Sequence, residues 1–161
     1  MGIIYYMSEY KPFDKSLYEE NNQSAIKTSI DFIQQIFHYQ PTAPAGEAYK
    51  SHDFIVNDPS TNKDVRVEAE VKKVWEKTGV WQGYDTIDVP YRKKDSRAHL
   101  FIMINKHHNT LLCLPMSEIK RSIVKQKRTI YTHSGTEQFF AVPLSKAIFF
   151  KKNDSSWIRI K

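Results

Sequence analysis

The sequence predicts an α/β protein, with a mixed β-sheet flanked by helices in a single domain over residues 1–161. Between residues 14 and 39, apolar side chains recur three or four positions apart, at Ile26, Ile30, Ile33 and Phe37. Residues 65–72 alternate between apolar and polar, which is the period of a half-buried strand. The nearly continuous apolar run 98–105 fits a strand covered on both faces. A sheet with a helix on each face accommodates this order of elements.

The first helix is expected from about Asp14 to Tyr39. Proline cannot continue a helix, so the helix should end before Pro41 and Pro44. Glu20 falls near the start of this helix, where the helix dipole favours an acidic side chain.

A predicted hairpin in residues 52–74 is the most informative part of the sequence. A short apolar strand headed by Asp53 turns through residues 58–62 into the alternating strand. If the chain folds back about the middle of this turn, Asp53 lies opposite Glu68 to Glu70, and directly paired residues are ~4.5–5.5 Å apart. One face of the second strand then carries a polar row, made of Arg66, Glu68, Glu70 and Lys72.

This polar row is interpreted as a site for a hard cation and a phosphate, and is not expected to be buried for packing. Two carboxylates at that separation repel each other, which pushes one of them towards protonation. A divalent ion removes the conflict, and Mg²⁺ prefers a few carboxylate oxygens together with waters and substrate phosphate. The alternative is a solvated hairpin face with a cross-strand ion pair, which contributes under ~1 kcal/mol to stability.

Residues 75–95 follow the hairpin and are expected to form an irregular loop, because Gly79, Gly83 and Pro90 interrupt them. The loop ends in a basic cluster, with Arg97 close behind it: Arg92, Lys93 and Lys94. Such a cluster engages phosphates by charge and not by base identity. The alternative is a solvated loop whose aromatic side chains cap the core.

The C-terminal half is expected to be largely extended. Strands are predicted over 98–105 and 110–115, joined by a turn, and a short helix over 116–125. Three further extended segments are expected after the helix, at 129–131, 138–142 and 147–151.

The composition indicates a globular protein with a polyanionic partner. The formal net charge is +6 and the pI is about 9.3, which favours an acidic partner without identifying it. The single cysteine, Cys113, lies in an apolar run and is expected to be a core thiol. No cysteine or histidine spacing indicates a zinc site.

The N-terminal segment MGIIYYMSEYK carries a short apolar patch without a basic lead or a small-residue cleavage site. The patch is too short for a secretory signal and far short of a membrane span. The sequence therefore predicts a cytoplasmic, intracellular protein with no membrane partner.

The hairpin resembles the PD-(D/E)xK nuclease superfamily, with Asp53 as the first acid and Glu70-Val71-Lys72 as the E-x-K element. His52 stands where the name-giving pattern has proline. Acid-x-Lys triplets occur three times in the chain, but only this one closes an alternating strand after an Asp-headed strand. The resemblance covers roughly residues 15–125 and implies a restriction-endonuclease-like αβββαβ core.

The resemblance also implies an activity and a set of site residues. It implies hydrolysis of DNA phosphodiester bonds with Mg²⁺ as the cofactor, for which Mn²⁺ could substitute. It also implies that the catalytic residues are Asp53, Glu70 and Lys72. Asp53, Glu70 and the carbonyl of Val71 would hold the metal, with Glu68 and Glu20 as further ligands. Phosphates flanking the scissile one would meet the basic residues, namely Arg92, Lys93, Lys94 and Arg97.

Two other functions remain open at this point. The first is a module of the same fold that binds nucleic acid without turnover. The second is an adaptor whose aromatic residues in 75–91 contact a protein partner. Cleavage of both DNA strands by so small a domain would further suggest a two-fold homodimer.

Overall fold

The structure is a computed structural model that describes residues 15–42, 53–128, 130 and 133–161, with side chains from Gln23 onward. The N-terminal patch and the triplet Glu9-Tyr10-Lys11 lie outside the described residues. Among the described residues, no helix is long and apolar enough to cross a membrane.

Helix α1, Lys15–Ile36, confirms the predicted N-terminal helix. Its buried stripe is offset from the predicted one, because Ala25, Phe32 and Ile33 are fully buried while Ile26 and Ile30 are only partly buried. Phe37 lies just beyond the end of the helix and is 37% exposed. The predicted stripe therefore lies on the buried face of α1 but is displaced toward one edge of that face.

A seven-stranded mixed sheet is packed against α1. Its spatial order is β1-β2-β3-β5-β6-β9-β10, and the only parallel pair among these neighbours is β3 with β5. The strands of this sheet have the following bounds: β1 Gln40–Pro41, β2 Phe54–Asp58, β3 Lys63–Lys72, β5 Leu100–Asn105, β6 Thr110–Pro115, β9 Ile148–Asn153 and β10 Ser156–Arg159.

A three-stranded antiparallel sheet covers the other face of the large sheet. Its order is β4-β8-β7, with β4 Thr86–Pro90, β8 Thr136–Pro143 and β7 Ile123–Arg128. Strand β7 is its outer strand, and all six of its residues are exposed. The expectation of a helix on each face is met only in part, since this small sheet covers much of the second face and the short helix after β6 adds Met116 and Ile119 to the core there.

Two core clusters lie on the two faces of the large sheet. The cluster under α1 contains Phe32, Val67 and Ile102, and the cluster under the small sheet contains Phe101, Ile87 and Phe140. Neighbouring residues of β5 thus point to opposite cores, as expected for a strand covered on both faces. Cys113 is buried in the cluster under α1, so its prediction as a core thiol is confirmed, and burial raises the pKa of its thiol.

Several boundaries differ from the predicted ones. The helix predicted over 116–125 is the short α2, Met116–Lys120, and the chain then extends into β7. The loop predicted over 75–95 contains β4 and a 3₁₀ helix, Tyr91–Asp95. A second 3₁₀ helix, Leu144–Lys146, precedes β9, and β10 was not predicted. Strands β5, β6, β8 and β9 overlap the predicted segments.

Phe32→Ala is expected to lower the free energy of unfolding by about 3–5 kcal/mol, because it empties a fully buried site. The Phe32 ring lies 4.8 Å from that of Phe150 and 5.6 Å from that of Trp157, measured between centroids. Phe37→Ala is the matched control and should cost under about 2 kcal/mol, since that side chain is already partly in solvent. Equal losses in urea titrations would contradict the observed stripe.

Candidate functional site

The register of the hairpin places Asp53 beside Glu68. Strands β2 and β3 pair from Phe54 with Val67 to Asp58 with Lys63, and the turn between them is Pro59–Asn62. One residue before the ladder, the Asp53 amide donates to the carbonyl of Val67 at 2.8 Å. The predicted hairpin and its register are therefore confirmed.

The Asp53 carboxylate is held against the backbone of β3. Its Oδ2 accepts a hydrogen bond from the amide of Ala69 at 2.8 Å. The pKa of Asp53 is raised to about 6, chiefly by burial and also by the nearby charges of Glu68 and Glu70, while the Ala69 hydrogen bond and Lys93 oppose the shift. Asp53, Glu68 and Glu70 thus interact electrostatically on one face of the hairpin.

Glu68 is buried, contrary to the expectation for its row. The residue is only 6% exposed, and its Oε1 accepts a hydrogen bond from the Ser96 hydroxyl at 2.8 Å. Its Oε2 forms an ion pair with Lys93 Nζ at 2.8 Å. A buried carboxylate is tolerated when it is both paired and hydrogen-bonded, and Glu68 meets both conditions.

Lys93 therefore points inward and not toward an external phosphate. Burial lowers the pKa of Lys93, but Glu68, which contacts it, and Glu70 more than offset this and raise that pKa above its ordinary value. The lysine is thus held in its charged form beside the acids. Its position depends on how the 3₁₀ helix docks on the sheet, which the basic run in the sequence does not indicate.

The end of β3 extends beyond the start of β2. Glu70 and Lys72 lie on the same face as Glu68 and are partly buried. Because Ala69 donates toward Asp53, strand geometry directs the carbonyl of Val71 to the same edge. No described strand pairs with β3 at this edge beyond Glu68.

The other members of the predicted basic cluster have different environments. Arg92 is exposed, and its guanidinium lies 3.5 Å from the Glu137 carboxylate. Lys94 is exposed, with Nζ 4.8 Å from the centroid of the Tyr91 ring. Arg97 is also exposed. Arg92, Lys94 and Arg97 thus lie at the surface, whereas Lys93 does not.

Two further acids remain to be placed, namely the predicted ligand Glu20 and Glu118 of another acid-x-Lys triplet. Glu20 lies in α1, and its side chain is outside the described residues. Glu118 lies in helix α2 and contacts Arg121 at 3.4 Å and Lys146 at 3.7 Å. Among the described residues, no three His, Cys, Asp or Glu side chains are grouped so as to hold a metal ion.

Comparisons with protein-family models, with curated proteins and with solved structures give no match to this chain. The mixed α+β architecture is established by the structure alone, and the restriction-endonuclease-like core stays an interpretation of the hairpin.

The cluster combines three acids on one face of the hairpin with one inward-pointing lysine from the 3₁₀ helix. The raised pKa of Asp53, about 6, lets this carboxyl exchange a proton near neutral pH. Glu68 is neutralised by Lys93, and Glu70 and Lys72 follow along β3. Such a group can bind a small cation between Asp53 and Glu70 or exchange a proton at Asp53.

Asp53→Asn is expected to stabilise the protein at pH 8 by about 1–3 kcal/mol, because it removes a buried charge while keeping an oxygen for the Ala69 amide. Between pH 3.8 and about 6 the folded protein retains the Asp53 proton that the unfolded chain has lost. The carboxyl therefore contributes stability below pH 3.8 that disappears as the pH rises through 6.

Urea unfolding of both proteins at pH 8 and pH 4, with EDTA present, measures this effect. The stabilisation should be present at pH 8 and largely absent at pH 4. Asp85→Asn, at an exposed position, serves as the control and should change stability little at either pH. A gain at pH 8 no larger than that of the control would contradict the burial effect on Asp53.

Proposed function

We propose that the protein is a metal-dependent endonuclease that hydrolyses DNA phosphodiester bonds. The observation that carries the proposal is the position of the Asp53 carboxylate. It is hydrogen-bonded to the backbone amide of Ala69 and lies on the face of the hairpin that also bears Glu70 and Lys72. An acid from one strand thereby meets an acid-x-Lys element on the next, as the resemblance to PD-(D/E)xK nucleases implies.

The donor groups fit a divalent ion with three protein ligands. Asp53 and Glu70 offer carboxylate oxygens, and Val71 offers a backbone carbonyl toward the same strand edge. Mg²⁺ is bound by a few carboxylates with water and phosphate completing its shell, and Mn²⁺ accepts similar oxygen ligands. When bound, the ion would act as a Lewis acid on a phosphoryl oxygen.

Lys72 and Lys93 have separate roles in this proposal. Lys72 shares the strand face with Glu70, and its compact ammonium would orient the attacking water and offset charge in the transition state. Lys93 neutralises Glu68, so that the negative charge left for a cation lies mainly on Asp53 and Glu70. Glu68 is accordingly assigned to positioning within the site and not to the ligand set.

DNA is supported as the substrate by charge. The chain carries a formal charge of +6, and Arg92, Lys94 and Arg97 lie exposed on the segment that also supplies Lys93. Exposed basic side chains of this kind neutralise phosphates without reading bases.

A second candidate is a nucleic-acid-binding module without turnover. It is favoured by the Glu68–Lys93 ion pair, because a lysine already supplies a cation to the acids. Divalent-ion-dependent cleavage distinguishes the two functions, since only the first requires it.

Supercoiled plasmid and branched DNA, incubated with Mg²⁺, Mn²⁺ or EDTA, test the proposed activity. Cleavage should occur with either ion and stop with EDTA. Asp53→Asn and Glu70→Gln should abolish it, because each removes a carboxylate ligand, and Lys72→Ala should slow it by about 10²–10³-fold. Lys72→Ala should still bind the ion in calorimetry.

Glu118→Gln provides the matched control, because Glu118 and Lys120 form an acid-x-Lys triplet in a helix, where residues two apart do not share a face. This variant should cleave DNA at nearly the wild-type rate. Full activity in Glu70→Gln together with loss in Glu118→Gln would refute the hairpin site.

Replacement of Arg92 and Lys94 by alanine should weaken DNA binding similarly for all sequences, because both meet phosphates. Each lost contact should make the slope of log K against log salt shallower by about 0.9 on duplex DNA. Lys93 is left intact, since its removal would strand the buried Glu68 charge.

Fluorescence anisotropy at several salt concentrations measures the slope. Lys63 and Lys151 are both exposed, and their double alanine variant removes the same charge elsewhere on the surface. A slope change no larger than that of this control variant would leave Arg92 and Lys94 as ordinary solvated side chains.

A further inference from the structure

An open cleft lies where β3 ends. Its volume is about 200 Å³, below the ~300–1,000 Å³ of pockets for drug-sized ligands, so its occupant is a small group. Lys72 lines one side of the cleft, and residues of the loop after β3 line another side. The main lining side chains are Lys72, Trp81, Gln82, Tyr84, Asp88 and Phe139.

Two buried polar atoms on the wall of this cleft have no partner. Trp81 Nε1, a donor, and Gln82 Oε1, an acceptor, are buried without a hydrogen bond to any described residue. Such atoms are rare in folded proteins because an unpaired buried polar group is costly. Both atoms are closed to solvent, so neither contacts a ligand in the cleft unless its side chain rearranges.

The wall is fixed by the core. Trp75 Nε1 donates to the carbonyl of Val80 at 2.8 Å, which holds the loop in place. The Trp81 ring packs edge-on against Trp75 and Phe149, with centroids 4.9 and 6.1 Å apart. The Trp81 ring is therefore packed against the core beside the cleft.

Aromatic rings and an already neutralised lysine complete the cleft. Tyr84 is 59% exposed, and Phe139 lines the cleft from β8. Lys127 is paired with Asp88, and its Nζ lies 5.6 Å from the centroid of the Tyr84 ring. Because Asp88 neutralises Lys127, the inner part of the cleft does not favour a phosphate, and its features suit a flat neutral group.

We propose that this cleft receives an unpaired nucleobase. Bases of single-stranded nucleic acid stack on exposed aromatic side chains, and Tyr84 presents such a ring at the cleft beside Phe139. Lys72 at the cleft places a positive charge near the phosphate of the same or a neighbouring nucleotide.

The inference rests on the proposed function and specifies its substrate. Glu70 and Lys72 are two residues apart on one strand face, or about 7 Å along the strand. A phosphate at these residues and a base in the cleft can then belong to one stretch of a nucleic-acid strand. A base stacked inside a duplex is not available to the cleft, so the substrate is a single-stranded or branched segment with an unpaired nucleotide.

Binding of a short fluorescein-labelled single-stranded DNA, measured by anisotropy with EDTA present, tests the cleft without cleavage. Tyr84→Ala should weaken binding by at least about fivefold, which corresponds to the loss of one base–aromatic stack. Tyr84→Phe keeps the ring and should bind like wild type. Val80→Ala is the control, because Val80 is exposed on the same loop but does not line the cleft.

The same strand with abasic sites separates base from phosphate recognition. Wild type and Tyr84→Ala should bind the abasic strand equally, and a fully paired duplex should also show no difference. An equal loss with abasic and intact strands, no loss in Tyr84→Ala, or no binding by wild type would each overturn the proposal.

The two proposals fail in different ways. Base-dependent binding without divalent-ion-dependent cleavage would leave the cleft as a base site and reject the nuclease. Cleavage with binding that is insensitive to Tyr84→Ala would retain the nuclease and reject the cleft.

Discussion

The parallel pairing of β3 with β5 determines what lies against the polar side chains of β3. Two neighbouring parallel strands cannot be joined by a tight turn, so residues 73–99 must cross from one end of the sheet to the other. This crossover carries β4, the loop with Trp81 and the 3₁₀ helix with Lys93. The acids of β3 and the cleft beside Lys72 therefore acquire their surroundings from a single connection.

The buried pair of Glu68 and Lys93 allows three carboxylates to occupy one face of the hairpin. The lysine neutralises Glu68, while Asp53 retains a proton to higher pH than usual. Loss of either partner of a buried ion pair leaves an uncompensated charge, which is more damaging than loss of the pair as a whole. The pair thus couples the docking of the crossover to the electrostatics of the hairpin.

Local patterns were sufficient to predict α1, the hairpin register, and strands β5 and β6. Helix α1 carries a 3.6-residue period and β3 a 2-residue alternation, whereas β5 and β6 are short continuous apolar runs. The approach of Asp53 to Glu68 followed from that register. Of the small sheet only β8 was predicted: β7 was missed because all its residues are exposed, and β4 lies in a segment expected to be irregular because of its glycines and proline. The inward position of Lys93 depends on packing between distant segments, and neighbouring lysines in a basic run are not distinguishable by sequence.

The exposed outer strand β7 limits how copies of this protein can assemble. An unpaired strand edge is a template for adding a strand from another chain. In a two-fold antiparallel pairing centred on Gln126, Lys125 of each copy would face Lys127 of the other, and like charges directly opposite repel. Sheet extension through β7 in this register is therefore disfavoured, and a symmetric pair of copies would have to use another register or another surface.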